Sequence, residues 1–537
     1  MDKFQGDITP SSDRRDIAED DVLAELGYTP QFKRNFSLAG IVAFSFAVVT
    51  SWTALAGVLT VGVQSGGAPV MIWSWIGICI ATLFVAYSLA EMCSAYPVVG
   101  GQYSYVAVFA PRKWRRGMSY LCGWFLQIGV LAMGATSHTV TGNFLLGLGN
   151  LSNPNFMIKD WHHVLVGWAI ALAALVVNMF ASKVFDKGSQ FFLVLNMSFF
   201  VVVVVAMTAM NDDRRSASFV FTDFVNITGW PSAYSALLGV LQAAYGMCCY
   251  DSATRMTEEI KDARRQAPRA IVMPVYIGFV TGFIFLIAAA FAMSEDIAAI
   301  ASTPTGVPMI EIWRHATNRA GAIGMSAVIV VIGLAPSIGL TAQGGRSIYA
   351  FARDSGLPFS KFLSRIEPRT RMPVNALCCA ALFQMVLIAI QFGGPTGFST
   401  VIQISTEGFY VSYALPLIAR LLSLFTSEPV WEIGGLYSLG RWSIPFNVLG
   451  VLFLMFATIT FNLPTVKPVT SQNMNYTSAA VGAVMLIALV TWLTTGRKHF
   501  HGPASGGVRL DRVTEGVVVQ EMEERISSKD VEMEKSV

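Results

Sequence analysis

Apolar residues fall in long blocks along this chain, and charges fall between the blocks. No charged residue occurs between Arg34 and Glu91. A bilayer demands about 20 apolar residues of each spanning helix. The pattern predicts twelve spans, at 38–63, 70–94, 117–148, 162–181, 189–210, 232–254, 271–293, 322–344, 374–392, 397–419, 445–463 and 476–495. The third is longer than needed and is expected to tilt. The predicted fold class is all-α integral membrane. A twelve-helix domain at 37–496 lies between an N-terminal tail, 1–36, and a C-terminal tail, 497–537.

The connecting loops alternate in charge. Lys and Arg cluster after the second, fourth, sixth, eighth and twelfth spans, as in Arg112 to Arg116 and Lys261 to Arg269. Positive loops stay inside, so both termini are expected in the cytoplasm. The sequons at Asn150, Asn226 and Asn475 then fall in outside loops and are candidate glycosylation sites; those at Asn35 and Asn196 do not. The outer connection 294–320 is expected to hold one or two short surface helices. The tail beyond Gly502 reads as a solvated regulatory segment, with VVVQEMEERI able to form a short amphipathic helix.

Composition removes several function classes. The chain is 54% hydrophobic and 13% charged, against about 25% charged in soluble domains. A net charge of +3 and the absence of a basic stripe give no reason to expect nucleic acid. All seven cysteines lie in or beside apolar blocks, which fits neither a disulfide framework nor a zinc site. No metal, no cofactor and no enzymatic nucleophile–base set is expected. Residues 1–33 are polar, so the first span is expected to do the targeting rather than a cleaved leader.

Polar residues inside the blocks mark the candidate site. The first span carries Thr50, Ser51, Trp52 and Thr53 at its middle. Hydroxyls can replace backbone hydrogen bonds where a membrane helix unwinds; the blander reading is helix packing through small polar residues. The sixth span carries Tyr245, Gly246, Cys248, Cys249, Tyr250 and then Asp251. Interrupted helices at matching places in two halves of a chain point to a transport site. Asp251 has two readings: an internal pair with Arg255 one turn on, or a gating or proton-linked carboxyl. Glu407, about ten residues into the tenth span, is a candidate substrate or proton carboxylate. His138 reads as a packing histidine.

Longer motifs then carry a resemblance. YSLAEMCSAYPVVGGQYSYVAVFAP (87–111), YDSATRMTEEIKDARRQAPRA (250–270) and GGRSIYAFARDSGLP (344–358) resemble signatures of the amino acid–polyamine–organocation superfamily. NMNYTSAAVG and WLTTGRKHFHGP extend the likeness, which covers Gly27 to Pro503 and is nearest the fungal amino acid/choline permeases, GABA and choline carriers among them. The resemblance implies a five-plus-five inverted repeat with helices one and six broken, plus two C-terminal helices. It places Ser51 to Ala54 and Gly246 to Tyr250 around the substrate, with Tyr245 as a gating aromatic. Two positions depart from the family pattern. Arg255 stands where histidine is common, and Glu407 where an apolar residue is usual. The fifth span lacks the lysine that some bacterial relatives use in coupling.

The function expected is secondary active transport of a small amine-bearing solute, an amino acid, GABA or choline, by proton symport in the plasma membrane. An exporter or vacuolar exchanger on the same fold is the alternative. Amides at a helix break can hold a carboxylate, and Trp52 and Tyr250 can hold an ammonium against their faces. The expected partners are the lipid bilayer, the amine and a proton.

Overall fold

The computed structural model describes residues 36–503, apart from 181–184, 369, 427–428, 432, 472 and 501, together with Phe32 and Arg34. The tail helix expected around VVVQEMEERI lies outside the described residues. Ten described helical stretches are long and apolar enough to cross a membrane. They run Leu38–Gly57, Gly67–Ala95, Arg115–Ser152, Asp160–Phe180, Phe185–Ala209, Ala263–Ala292, Arg319–Arg353, Val374–Gly393, Gly440–Phe461 and Thr477–His499. Large apolar side chains remain exposed on their outer faces, among them Val201, Val205, Leu486 and Leu493. Lipid, not water, is the solvent that such faces match. The protein is a multi-pass integral membrane protein.

We label the principal helices α1 (Leu38–Val49), α2 (Ser51–Gly57), α3 (Leu59–Gln64), α4 (Gly67–Ala95), α5 (Gln102–Phe109), α6 (Arg115–Ser152), α7 (Asp160–Phe180) and α8 (Phe185–Ala209). There follow α9 (Ser232–Gly246), α10 (Ala263–Ala292), α11 (Pro308–Ala316), α12 (Arg319–Arg353), α13 (Val374–Ala389), α14 (Pro395–Ser423), α15 (Ser443–Phe461) and α16 (Thr477–Thr491). Two predicted spans, 232–254 and 397–419, are not among the ten apolar stretches. The first is α9, only 15 residues long and then broken. The second is α14, which is 29 residues long but includes Gln403, Glu407, Ser412 and Arg420. The connection 294–320 holds two short helices, Ile297–Ala301 and α11, as expected in number, but α11 is not a surface helix, since Met309, Ile310, Ile312 and Trp313 are buried in the core.

Both interruptions anticipated in the sequence are present. α1 stops at Thr50, whose φ of 31° is left-handed, and α2 restarts at Ser51. A β-branched residue rarely adopts that region. The Thr53 hydroxyl donates to the Thr50 carbonyl at 3.0 Å, holding the new turn. α9 stops at Gly246, and Cys249 is again left-handed at φ 65°. The chain does not resume as an α-helix. It runs as a ten-residue 3-10 helix, Tyr250–Glu259, where runs beyond three or four residues are uncommon. The sequence supplies the reason. Ser252 donates to the Cys249 carbonyl, Thr254 to the Asp251 carbonyl at 2.8 Å, and Thr257 to the Thr254 carbonyl at 3.2 Å. Hydroxyls placed every two or three residues thus bond three residues back, which favours the tighter coil.

The two broken helices are tied at both ends. At one end Ser65–Gly66, just after α3, pairs antiparallel with Val225–Asn226 ahead of α9. At the other, Phe36 bridges to Ile260, with its N–H on the Glu259 carbonyl at 3.0 Å and its carbonyl receiving Lys261 N–H at 3.2 Å. α6 is the central post and packs against both α12 and α14. Its closest crossing is with α14. A Cβ at Gly129 would lie 2.8 Å from the Phe409 backbone nitrogen, and one at Gly408 would lie 2.7 Å from the Gly129 Cα.

Candidate functional site

α1 runs from the Phe36 end to Thr50, and α9 runs from the opposite end to Gly246. The two breaks therefore meet midway. A cavity of about 50 Å³ lies where they meet, walled by Thr50, Thr53 and Ala54 from one break and by Tyr245, Cys248 and Cys249 from the other. Met133, Ser137 and Thr141 of α6 and Gly333, Pro336 and Leu340 of α12 complete the wall. None of the lining residues is charged. Of the leading N–H groups at the start of α2, that of Thr50 donates to the Phe46 carbonyl at 2.8 Å and that of Thr53 to the Thr50 carbonyl at 3.0 Å, which leaves those of Ser51 and Trp52, next to Thr50 on the wall.

A second cavity of about 480 Å³ lies toward the β-paired end. Its lining is mixed: Gln64, Asn143, Gln242, Gln391, Gln403 and Asn475, with Asp160 and His163, stand among apolar residues such as Val61, Leu241, Phe398 and Phe461. Met474, also on its wall, is 41% exposed, so the cavity reaches the protein surface. Tyr245 borders both cavities and is the side chain between them. Replacing Tyr245 by Ala should join them. In a background with Cys249, Cys378 and Cys379 changed to Ser, Cys248 should then react severalfold faster with an impermeant thiol reagent applied from the large cavity. A rate equal to that of the Tyr245 parent would remove the aromatic from this role.

The path from the small cavity to the Phe36 end is filled. All ten residues Tyr250–Glu259 are buried. Asp251 Oδ2 accepts from Arg255 at 2.5 Å and from Gln102 at 2.6 Å, and Oδ1 accepts from the Tyr413 hydroxyl at 2.6 Å. Arg255 donates onward to Gln343 at 3.0 Å and lies over the Phe409 ring at 5.2 Å. Further along, Glu259 pairs with Arg346 through both carboxylate oxygens, and Glu258 with Arg353 at 3.1 Å. Both partners of the Asp251–Arg255 pair have no exposed side-chain surface. Desolvating two ions is costly, and only this density of partners offsets it.

The predicted site residues separate into two groups. Thr50, Thr53, Ala54, Tyr245 and Cys248 share the small cavity. Ser51, Trp52, Gly246, Tyr250 and Glu407 do not line it. The Ser51 hydroxyl points at Gly278 of α10. Trp52 turns toward α8, donating to Asn196 Oδ1 at 2.7 Å and packing on Phe200 and Phe285. Gly246 lets Leu55 and Trp75 close in, since a Cβ there would lie 2.9 and 3.0 Å from their side chains. The Tyr250 ring is held against Tyr413, centroids 5.1 Å apart. Glu407 lies between α14 and α15 and accepts from Asn462 at 3.0 Å. His138 bonds Gln384 at 3.2 Å in a buried contact between helices.

The sequons divide as well. Asn150 and Asn226 are partly exposed, each with its amide donating to a carbonyl, of Phe156 and Trp230 respectively. Asn475 is 8% exposed and donates to the carbonyls of Phe461 and Leu463. Cys249, within the Gly246 to Tyr250 stretch that the resemblance places around the substrate, also lines the small cavity, while sequence reasoning missed the whole contribution of α6 and α12. Among the described residues no group of three or more His, Cys, Asp or Glu is placed to hold a metal ion.

Residues 36–489 match the model of a family described as amino acid permease. A Macrophomina phaseolina protein named an amino acid/polyamine transporter is 53% identical over 82% of this chain and 97% of its own length. The choline transporter of Saccharomyces cerevisiae is 28% identical over 87% of this chain and 83% of its own. Amino-acid permease 2 of Neurospora crassa is 29% identical, covering 93% and 92%.

Proposed function

Since the chain belongs to the amino acid permease family, we propose that it imports a small amine-bearing solute across the plasma membrane by proton symport. The substrate classes are an amino acid, GABA or choline, with zwitterions preferred. The observation that carries this reading is the uncharged cavity where two interrupted helices meet. A zwitterion can be held there by backbone groups: leading amides for its carboxylate, carbonyls at the helix breaks for its ammonium. A pure cation finds no carboxylate on that wall. The Tyr245 ring is the aromatic face available to an ammonium.

In this reading α9 with its 3-10 continuation, and α14, are the two spans that bring the ten apolar stretches to twelve. The first ten spans form two inverted halves of five, each opening on an interrupted helix, and the Phe36 end is cytoplasmic. Asp251 and Arg255 act as a gate, closed in this conformation, with the large cavity as the outer vestibule. Transport opens the Tyr250–Glu259 segment after Tyr245 has closed over the solute.

The test is uptake by vesicles containing the purified protein. Labelled neutral amino acids, GABA and choline are offered with and without an acid-outside gradient. We expect one or more zwitterions to accumulate, with the gradient raising the plateau and choline entering more slowly. If no member of the panel enters faster than in protein-free vesicles, the reading falls.

A further inference from the structure

We propose that Glu407 is the site at which the coupling proton binds; this rests on the symport reading above. Two buried acids were candidates, and their surroundings differ. Asp251 is occupied on both oxygens by Arg255, Gln102 and Tyr413. A proton arriving there has to displace a guanidinium. Glu407 is 4% exposed. Its Oε1 accepts from the neutral Asn462 amide, and its Oε2 has no hydrogen-bond partner. An unpaired carboxylate at membrane depth is costly, and binding one proton at Oε2 gives a neutral acid with a free donor.

Among the described residues no countercharge is paired with it: none of the ion pairs includes Glu407. α15 and α16 contain no titratable residue. On α6, His138 bonds Gln384, and Arg116 bonds the Phe500 carbonyl. On α14 itself, Tyr410 donates to the Ala244 carbonyl, Tyr413 to Asp251, and Arg420 pairs with Glu91 of α4. On α9, Tyr234 donates to the Pro464 carbonyl, and Tyr245 lines the two cavities. Arg115, Tyr120 and Cys122 of α6, Tyr103 and Tyr105 of α5, Tyr87, Cys79 and Cys93 of α4, and Cys378 and Cys379 of α13 complete the titratable groups on neighbouring helices. Asn462 is fully committed, since it also donates to Thr458 at 2.9 Å and accepts from Ser478 at 2.5 Å.

The position supplies both access and leverage. Gln403, one helical turn before Glu407, lines the large cavity, as does Phe461, the neighbour of Asn462. One turn in the other direction, Tyr410 holds the end of α9 through the Ala244 carbonyl at 3.0 Å, and Tyr413 holds Asp251. One rigid helix thus joins Glu407 to both sides of the α9 break. A change of charge at Glu407 biases how α14 sits against α15, and α14 carries that bias to the gate.

The experiment compares Glu407→Gln, Glu407→Asp and Asn462→Leu with the parent in vesicles, using a zwitterion that the parent accumulates. For one proton per cycle, a gradient of one pH unit supports about tenfold accumulation. Glu407→Gln should reduce the accumulation ratio to about 1 under that gradient. Exchange of labelled for unlabelled solute should persist at the parent's half-saturation, which also shows that the variant folds. Glu407→Asp should still accumulate. Asn462→Leu should move the pH midpoint of uptake by about half a unit or more, because it removes the one hydrogen bond to the carboxylate. Accumulation by Glu407→Gln equal to the parent's would overturn the proposal. If Glu407→Gln exchanges nothing, the midpoint decides: an unmoved midpoint in Asn462→Leu also overturns it. A parent that transports without any pH dependence overturns this inference and leaves transport itself standing; a parent that transports nothing overturns the reading beneath it.

Discussion

Arg255→Met should be strongly damaging, lowering stability by about 3–5 kcal/mol. It leaves the Asp251 carboxylate with no exposed surface and no cation. Gln102 and Tyr413 remain as neutral donors, but they do not replace a guanidinium that also spans to Gln343 and covers Phe409. Most domains are stable by only about 5–15 kcal/mol, so the loss is a large share of the whole. Adding Asp251→Leu should recover much of it, because removing both charges also removes both desolvation costs. The double variant should therefore unfold at a higher temperature than Arg255→Met alone in detergent, yet fail to hold its Phe36 end closed. Thermal unfolding of the three proteins checks the ordering. If Arg255→Met unfolds with the parent, the pair contributes nothing to the fold.

Gly129→Val should abolish the folded protein, and Gly482→Val should not. At Gly129 the obstacle is backbone: a Cβ there meets the Phe409 nitrogen at 2.8 Å and the Gly408 carbonyl carbon at 3.0 Å. No side chain can rotate away to make room. α6 and α14 must separate, and α6 is also packed on α12. Overpacking of a core typically costs about 1–3 kcal/mol, and a forced separation of two helices exceeds that range. Gly482 has nothing within 4 Å of its added Cβ. Size-exclusion profiles of fluorescently tagged variants give the comparison. A monodisperse Gly129→Val peak at the parent's height would mean that the crossing relaxes without loss.

Legibility from sequence followed the physics of each feature. Apolar length is written directly into composition, so Gly67–Ala95 and Phe185–Ala209 were found within a few residues of their ends. The breaks were legible because they need polar or small residues at membrane depth, and Thr50 to Thr53 and Gly246 to Asp251 supply them. Direction around each break was not legible. Unwinding at Thr50 resets the phase of the following turn, so Trp52 points to Asn196 and not to the cavity. The same loss of phase decides which of Gly246 to Tyr250 face the cavity: Cys248 and the left-handed Cys249 do, and Gly246 and Tyr250 do not. The lining from α6 and α12 is hard to pick out, since Val140 or Ile329 in a span looks like any packing residue and the hydroxyls of Ser137 and Thr141 look like those of residues that only pack. Pro336, within an otherwise regular span, was the one available signal on α12. The length of the 3-10 segment was encoded in the spacing of Ser252, Thr254 and Thr257, where a reading by hydropathy alone finds only the end of a helix.

The bridge between Phe36 and Ile260 is made by main-chain atoms alone. Its two hydrogen bonds do not depend on which side chain stands at position 36, although that ring is fully buried. They do depend on the number of residues between the bridge and the start of α1 at Leu38. Evolution can therefore exchange letters here more freely than it can add or remove them. A one-residue insertion before Leu38 would shift the register and present the wrong amide to Glu259, whereas a conservative replacement of the ring would keep it. The segment behaves as a ruler of fixed length, set between α1 and the end of the Tyr250–Glu259 segment.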